Sequence, residues 1–380
     1  MKKLTVVQLL PALESGGVER GTLEVGRYLV EHGHRSIVIS AGGRLVSQLE
    51  AEGSEHVTWE IGRKSLLTPL RYVRRLRRLL RDEGVDILHV RSRMPAWVGW
   101  LAWKGMAPGR RPHLVTTVHG MYSVNAYSAV MTKGEVVIAV SQTVRRYILD
   151  NYPSTPEANI RVIPRGIDPA TYPPGFRPSA AWLAAWQAEY PQLAGRRVLT
   201  LPGRITRLKG HEDFIALIAR LKADGEPVHG LIVGGAETRK QPYLAELRAK
   251  VAQAGLANDI TFTGQRGDLR EIMAVSDLVL SLSTQPESFG RTVLEALSMG
   301  VPVIGYDHGG VGEQLALLYP QGRVALGDRD GLVRQCRATA HATRIQLNAA
   351  PPTLQDMLAS TLAIYENVVP ARTTNGISST

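Results

Sequence analysis

The chain has 380 residues, a formal net charge of +11 and a single cysteine, Cys336. Hydrophobic residues make up 44% and charged residues 21%, which excludes a disordered protein, and the length suits two domains better than one core. One cysteine allows no internal disulfide, so a reducing compartment is expected. Most of the excess positive charge lies in residues 1–170, which indicates an anionic partner there: nucleic acid, anionic lipid or a phosphorylated substrate.

The N-terminus, MKKLTVVQLLPALESGG, has a basic start and a short apolar run that Pro11 and Glu14 interrupt. Because it lacks a cleavage pattern, this run predicts a first strand rather than a signal peptide. No stretch approaches the roughly 20 apolar residues that span a bilayer. These features predict a cytoplasmic protein that could associate with the inner face of the cytoplasmic membrane.

Short β-branched runs alternate with amphipathic helical patterns from the start of the chain. The first runs that predict strands are 4–10, 36–40, 86–90, 114–118 and 136–140. Helical patterns lie between them at 18–32, 66–83 and 142–150. Apolar strands that alternate with helices indicate a parallel sheet covered on both faces.

A second series of strands follows a proline-rich segment, 164–180, which has the composition of a linker. These strand patterns are 197–203, 228–235, 259–264, 277–283 and 301–306. The fold class is therefore predicted to be α/β, with two doubly wound, Rossmann-like parallel-sheet domains that face a central, ligand-binding cleft. The predicted bounds are 1–170 for the N-terminal domain, 171–195 for the linker, 196–350 for the C-terminal domain, 351–370 for a helix that could pack back on the N-terminal domain and 371–380 for a flexible tail.

Two cations lie on one predicted loop of the C-terminal domain, in the segment PGRITRLKGHEDFI. Arg204 and Lys209 follow a strand and precede a helix. Two fixed cations at the C-terminal end of a strand suit a diphosphate, because arginine offers a planar fork and lysine a compact charge. Solvated loop charges are the alternative interpretation.

Two glutamates flank a turn in the segment PESFGRTVLEA. A helix of residues 290–299 is predicted to begin at the turn, and its first backbone N–H groups would be available to bind phosphate. Glu295 could accept hydrogens from the hydroxyl groups of a ligand, and Glu287 could accept them from a second polyol. Taken alone, Glu287 is also explained as an acid that stabilises a helix dipole.

The pattern Glu287-x7-Glu295, with GRITRLKG before it and GVPVIGYDHGG after it, resembles the family-four retaining glycosyltransferases of the GT-B fold, of the bacterial envelope or lipopolysaccharide type. Further pieces occur in the family's order: GG at 16–17, VHG at 118–120, IAVSQTVRRYI at 138–148 and RVIPRGIDPATYPP at 161–174. Two departures, Arg165 where the family often has Asn and DHGG at 307–310, blur any inference about the sugar.

The resemblance implies roles for the matching residues. Arg204 and Lys209 would hold the donor diphosphate and stabilise the leaving group. Glu287 would bind hydroxyls of the donor sugar, and Glu295 those of the ribose. The residues expected to meet the donor phosphates or line the turn beside them are Gly16, Gly17, Ser288, Phe289, Gly290, Arg291 and Thr292. The expected catalytic residues are Arg204, Lys209, Glu287 and His119, the last near the sugar.

The implied reaction moves a sugar from a nucleotide-sugar, either a UDP-hexose or a UDP-N-acetylhexosamine, to a hydroxyl of a cell-envelope glycan or glycolipid, with lipopolysaccharide core as the leading acceptor. Negative charge builds on the leaving diphosphate, so preorganised cations and amides lower the barrier. No well-placed nucleophile is evident, which favours a front-face route, and the resemblance implies neither a metal nor a cofactor. The alternatives are GDP-mannose or another donor, and a nucleotide-sugar epimerase of the same fold, against which the paired acids argue.

The basic first domain contains RYVRRLRRLLR at 71–81, with apolar residues at helical spacing and arginines on the other face. This pattern predicts a surface helix that either binds anionic lipid headgroups or is simply solvated. Arg91 and Arg93 follow a predicted strand and are candidates for binding a phosphorylated or acidic acceptor. The chain lacks a recognised nucleic-acid module, and no G-x-G-x-x-G follows the first strand, so neither nucleic-acid binding nor dinucleotide-dependent dehydrogenation is expected.

Overall fold

The computed structural model describes residues 2–14, 16–63, 67–340 and 345–369. The chain divides into a first unit, Met1–Pro164 with Gln355–Thr380, and a second unit, Arg165–Leu354. The predicted tail, 371–380, lies outside the described residues.

The first unit is built on a parallel sheet of seven strands among its described residues. The strands are β1 (Thr5–Leu9), β2 (Arg35–Ser40), β3 (Glu55–Thr58), β4 (Ile87–Val90), β5 (His113–Val118), β6 (Val136–Ala139) and β7 (Ile160–Val162). Their order in the sheet is β3-β2-β1-β4-β5-β6-β7, with parallel pairing throughout. The helices that connect them are α1 (Gly17–Glu31), α2 (Val46–Ala51), α3 (Leu67–Asp82), α4 (Arg93–Lys104) and α5 (Gln142–Asn151). The order reverses beside β1, as in a doubly wound sheet, where ligands bind beyond the carboxyl ends of the strands.

The second unit repeats this design with a parallel sheet of six described strands. They are β8 (Arg197–Pro202), β9 (Val228–Val233), β10 (Ile260–Gly264), β11 (Leu278–Ser281), β12 (Val303–Tyr306) and β13 (Arg323–Val324). Their order is β10-β9-β8-β11-β12-β13. The helices of this unit are α6 (Ala180–Glu189), α7 (His211–Ala223), α8 (Gln241–Gln253), α9 (Leu269–Ala274), α10 (Arg291–Ser298), α11 (Gly309–Leu318) and α12 (Arg329–Ala338). Order reversal beside β8 brings the loops after β8 and β11 to the same edge of the sheet.

Strand burial explains why the apolar runs predicted the sheets. In β1, Val6, Val7 and Leu9 are completely buried, which requires helices on both faces. The structure confirms all ten predicted strands, so the predicted α/β class with two parallel-sheet domains is correct. The additional strands β3, β7 and β13 are short, and β3 is partly exposed at the sheet edge, so none of them carries a long apolar run.

The structure differs from the predicted linker bounds. Within 171–195, helix α6 forms, and its Trp186 is buried in a core with Leu193 and Val198. These apolar contacts make the segment part of the second unit. A last helix, α13 (Leu354–Val368), places most of its residues in the first unit, where Tyr365 is completely buried.

Candidate active site

The second unit brings together a lysine and a glutamate that are distant in sequence. Lys209 ends a short 3₁₀ turn after β8, and Glu287 lies in the loop between β11 and α10. Lys209 Nζ donates a hydrogen bond to Glu287 Oε1 at 2.7 Å. The two side chains are 29% and 24% exposed, so the pair is partly buried yet reachable from solvent. A cation and a carboxylate are thus assembled at the carboxyl ends of two adjacent strands.

The turn that carries Lys209 is fixed against the loop after β11. Gly210 has φ = 69°, and a β-carbon there would overlap the carbonyl oxygen of Leu282. Both the backbone conformation and the packing therefore require glycine at this position. The backbone N–H of Thr284 donates to the carbonyl oxygen of Leu208 at 2.8 Å. These contacts hold Lys209 beside the glutamate loop.

The carboxylate of Glu287 has a second donor, the Oγ of Ser283. His308 Nε2 in turn donates to the backbone carbonyl of Ser283 at 2.6 Å, which holds that residue in place. Burial alone would raise the pKa of Glu287, but the charge and hydrogen bond of Lys209 and the hydrogen bond of Ser283 outweigh it and lower the pKa below its ordinary value. Glu287 is therefore a carboxylate at neutral pH, able to accept hydrogens from sugar hydroxyls.

The start of α10 presents backbone N–H groups beside this carboxylate. Gly290 caps the helix with φ = 81°, a conformation that favours glycine. Gln314 Nε2 donates to the carbonyl oxygens of Phe289 and Gly290, the latter at 3.2 Å, and so fixes the turn. The first N–H groups of an α-helix have no partner inside the helix and carry the positive end of its dipole. Four other predicted donor residues lie in or beside this turn: Ser288, Phe289, Arg291 and Thr292.

Glu295 lies one turn into α10 and is only 7% exposed. Its Oε1 accepts a hydrogen bond from Arg291 Nε at 2.9 Å. This arrangement holds the Glu295 carboxylate in a defined orientation and places an arginine over it. The proposed contact of Glu295 with ribose hydroxyls stays a prediction.

The second predicted cation, Arg204, differs from Lys209 in its surroundings. Its side chain is 78% exposed, and its Nη1 lies 3.4 Å from Glu237 Oε1, on the loop after β9. The Lys209 side chain passes over Gly203, next to Arg204, so the two cations leave the same strand end. The structure therefore presents one cation held by Glu287 and one held loosely by Glu237.

The predicted residues of the first unit lie at the carboxyl ends of its strands. Gly16 caps α1 with φ = −80°, and a β-carbon on Gly17, the first residue of α1, would meet no atom within 4 Å. Neither a positive φ nor packing requires a glycine at 17, and the predicted contact of this residue with donor phosphates stays a prediction. His119 follows β5 and is half-buried.

The structure does not place Arg91 where an acceptor could reach it. Its side chain is only 3% exposed, and its guanidinium interacts with the hydroxyl of Tyr365 on α13, where burial lowers the arginine's pKa. The same hydroxyl hydrogen-bonds His89 Nδ1 at 2.6 Å. The prediction of Arg91 as an acceptor ligand is therefore corrected: Arg91 is a core residue beneath α13. Arg93, the first residue of α4, is half-buried and reaches the surface.

The arginine-rich helix α3 has the amphipathic structure expected of it. Leu76 and Leu80 are buried. Arg77, by contrast, turns inward, donating from Nε to Ala102 O at 3.0 Å and from Nη2 to Leu101 O at 2.9 Å. The remaining arginines form an exposed basic face, Arg71, Arg74, Arg75, Arg78 and Arg81.

The described residues form neither a metal-binding cluster nor a membrane-spanning helix. They contain no group of three or more His, Cys, Asp or Glu side chains positioned to hold a metal ion. None of the helices in the described ranges is long and apolar enough to cross a bilayer.

Sequence reasoning missed four side chains that complete the site: Ser283, His308, Gln314 and Glu237. His308, Gln314 and Glu237 each contact a loop that is distant in sequence, whereas Ser283 contacts Glu287 within the same loop. The segment DHGG, noted as a departure from the family, could have signalled His308. Gly310 N–H donates to the carbonyl oxygen of Glu287 at 2.7 Å, so this segment supports the glutamate loop directly.

Two family models match the chain in succession. The model described as Glycosyltransferase Family 4 matches residues 15–171, and the model described as Glycosyl transferases group 1 matches residues 185–326. A solved glycosyltransferase from Rickettsia africae ESF-5 is 30% identical, with a TM-score of 0.85 over 97% of this chain and 99% of that one. HepE of Anabaena, solved with UDP and glucose, is 21% identical, with a TM-score of 0.74 over 96% of this chain and 95% of that one, a likeness of fold alone.

Curated relatives act on diverse acceptors, as their names state. A D-inositol 3-phosphate glycosyltransferase of Jonesia denitrificans is 29% identical over 76% of this chain and 73% of its own length. An N-acetyl-alpha-D-glucosaminyl L-malate synthase of Bacillus anthracis is 26% identical over 82% of this chain and 81% of its own length. A lipopolysaccharide core biosynthesis mannosyltransferase, LpsB, of Rhizobium meliloti is 33% identical over 47% of each chain. The chain belongs to the family 4 glycosyltransferases, enzymes of the GT-B fold that use nucleotide-sugar donors.

Proposed function

We propose that this glycosyltransferase moves a hexose or N-acetylhexosamine from UDP to a hydroxyl of a cell-envelope glycan or glycolipid, with lipopolysaccharide core as the leading acceptor. The transfer proceeds with retention of anomeric configuration and needs neither a metal nor a cofactor. The reaction takes place in the cytoplasm, at the inner face of the membrane.

The observation that carries the proposal is the Lys209–Glu287 pair beside the start of α10. A nucleotide-sugar has a dianionic diphosphate joined to a polyol, and this site offers a cation, helix N–H groups and a carboxylate within one loop cluster. Lys209 and the α10 amides suit the diphosphate, and the Glu287 carboxylate suits the sugar hydroxyls. Arg204 adds a second cation at the same strand end.

These groups support a front-face reaction. The bond between the anomeric carbon and the diphosphate oxygen breaks, and negative charge grows on that oxygen, where Lys209 and the α10 amides stabilise it. The acceptor hydroxyl attacks from the same face, its oxygen bonds to the anomeric carbon, and its proton passes to the departing phosphate oxygen. Positively charged side chains thereby supply the neutralisation that a bound metal supplies in other enzymes.

The identity of the base and of the acceptor is supported only by related proteins. HepE was solved with UDP and glucose, which supports a UDP-sugar. LpsB acts in lipopolysaccharide core biosynthesis and supports an envelope acceptor. The exposed basic face of α3 supports contact of the enzyme with anionic lipid.

A thermal-shift panel of UDP, GDP and ADP, followed by nucleotide-sugars that carry the preferred base, tests the donor. We expect UDP to give the largest shift, and a clear preference for GDP would overturn that assignment. The anomeric proton of the product, followed by NMR, tests retention, and activity that survives excess chelator tests metal independence. Isomerisation of a UDP-sugar without any acceptor would instead identify the chain as an epimerase.

A further inference from the structure

Arg93 of the first unit lies close to the rings of two tyrosines. Its guanidinium carbon lies 4.8 Å from the centre of the Tyr122 ring and 5.4 Å from that of Tyr127. Its Nη1 donates to Ser128 Oγ at 3.3 Å. Stacking on aromatic faces occupies the faces of a guanidinium and leaves its N–H edge available for hydrogen bonds in the plane.

The loop that supplies these rings is itself tied down. Trp97 Nε1 donates to the carbonyl oxygen of Tyr127 at 2.9 Å, and the hydroxyl of Tyr147 donates to the carbonyl oxygen of Tyr122. The backbone N–H of Ser128 donates to Asn125 Oδ1 at 2.9 Å. Because both tyrosines are anchored through their backbones, the loop beside the guanidinium needs little rearrangement when a ligand binds.

The charge of Arg93 is not matched by an acid. Some arginines of this unit pair with carboxylates, as Arg35 does with Glu55 at 2.6 Å. The ion pairs formed within the described ranges include none to Arg93. A half-buried guanidinium that has no carboxylate partner among the described residues suits an anionic ligand.

Its place in the fold points to a substrate. Arg93 follows β4, and the Tyr122 loop follows β5 and His119, so both lie beyond the carboxyl ends of adjacent parallel strands. This is the edge at which doubly wound sheets bind their ligands. We propose that Arg93, beside Tyr122 and Tyr127, binds a phosphate or carboxylate group of the acceptor. That the bound anion belongs to the acceptor rests on the proposed function, whereas the existence of an anion site at Arg93 does not.

Direct binding to the full chain tests the site without any transfer reaction. The parent protein carries Lys209→Ala, which weakens anion binding at the donor loop, and the comparison with Arg93→Gln is made within this parent. The probes are D-myo-inositol 3-phosphate, L-malate, neutral myo-inositol and dihexanoyl phosphatidic acid, each titrated by ligand-observed NMR. The phosphorylated polyol and the phosphorylated lipid distinguish a water-soluble from a lipid-borne source of the anion.

Arg93→Gln should weaken binding of at least one anionic probe about tenfold, the effect of losing a charge-assisted hydrogen bond, and leave binding of myo-inositol unchanged. Arg93→Lys should retain part of the affinity, because it keeps the charge but loses the planar fork. The matched control is Arg111→Gln, since Arg111 stacks on a single ring, Trp103, at 3.5 Å in the same unit. Equal affinities in the parent and Arg93→Gln for every anion, or an equal loss in the Arg111 control, would overturn the proposal. Failure of the wild-type chain to bind any nucleotide would contradict the proposed function and leave these affinities unaffected.

Discussion

Lys209 Nζ donates to Glu287 Oε1 at 2.7 Å although the two residues are 78 positions apart. The pair forms where the loops after β8 and β11 meet, so it depends on the sheet order rather than on local sequence. It has two consequences. The lysine keeps the carboxylate ionised, and the carboxylate keeps the lysine oriented until a diphosphate competes for it.

Lys209→Ala and Glu287→Ala should each abolish transfer while the protein stays folded. Lys209→Ala removes the cation proposed to stabilise the leaving diphosphate, and losses of about 10²–10³ in kcat are typical for such a group. Glu287→Ala removes the proposed acceptor for the sugar hydroxyls. Arg207→Ala is the matched control, because Arg207 lies on the same turn but pairs with Glu246. Steady-state kinetics measure the transfer rate, and circular dichroism shows whether each variant is folded. Near-normal transfer by either variant would remove that residue from the site.

Gly290→Ala and Gly17→Ala should separate a structural glycine from one that leaves room for a ligand. A β-carbon at 290 would lie 2.7 Å from Val311 Cγ2, on a backbone with φ = 81°. We therefore expect Gly290→Ala to lower the free energy of unfolding by about 1–3 kcal/mol. A β-carbon at 17 meets no atom, so Gly17→Ala should leave stability unchanged and raise the KM for the donor. Denaturant titrations and donor kinetics on both variants test this contrast, and a destabilised Gly17→Ala would contradict it.

The strands were predictable because each is a contiguous apolar run, and the candidate site residues were proposed because they follow such runs directly. Buried parallel strands are continuous apolar runs, and a strand end followed by cations or acids marks a ligand edge. Arg91 shows the limit of this reasoning. Arg91 and Arg93 both come directly after β4. Tyr365, far along the chain, nevertheless covers Arg91, whereas Arg93 lies at the surface.

The supporting residues of the site were not predictable for the same physical reason. Gln314 acts on the carbonyls of Phe289 and Gly290, and His308 acts on that of Ser283. Neither contact follows from spacing, because each joins α11 or its N-cap to a segment about 25 residues earlier that the fold brings near. Side chains that hold other loops in place carry no periodic signal of their own.

Removing charge from the exposed face of α3 should weaken binding to anionic membranes. Arg74 and Arg78 are exposed, and each basic residue near an anionic surface contributes about 1 kcal/mol. Arg74→Gln with Arg78→Gln should therefore lower the partition coefficient onto phosphatidylserine vesicles by about tenfold or more, as measured by sedimentation. Arg77→Gln is the contrast: it loses hydrogen bonds to Leu101 and Ala102, so it should lower stability and not vesicle binding. Unchanged partitioning of the double variant would show that this face is simply solvated.

Glu237→Gln should strengthen nucleotide binding. In the structure Glu237 Oε1 lies 3.4 Å from Arg204 Nη1, and its Oε2 accepts from Arg239 Nε at 3.2 Å. A diphosphate that binds Arg204 must displace this carboxylate, and a retained negative charge there also repels the ligand. Exposed ion pairs contribute about 0.2–1 kcal/mol, so neutralising Glu237 should raise the affinity for UDP by about two- to fivefold.

The matched control for that prediction is Glu246→Gln, because Glu246 pairs with Arg207 in a similarly exposed position near the same turn. Its removal changes the local net charge equally but frees no predicted diphosphate ligand. Isothermal titration with UDP at low and high salt separates the two effects. If Glu237 competes for Arg204, only Glu237→Gln gains affinity for UDP. That gain becomes smaller at high salt, because salt screens the competing charge. A loss of affinity in Glu237→Gln would show instead that this carboxylate contacts the nucleotide, and an equal gain in both variants would reduce the effect to net charge.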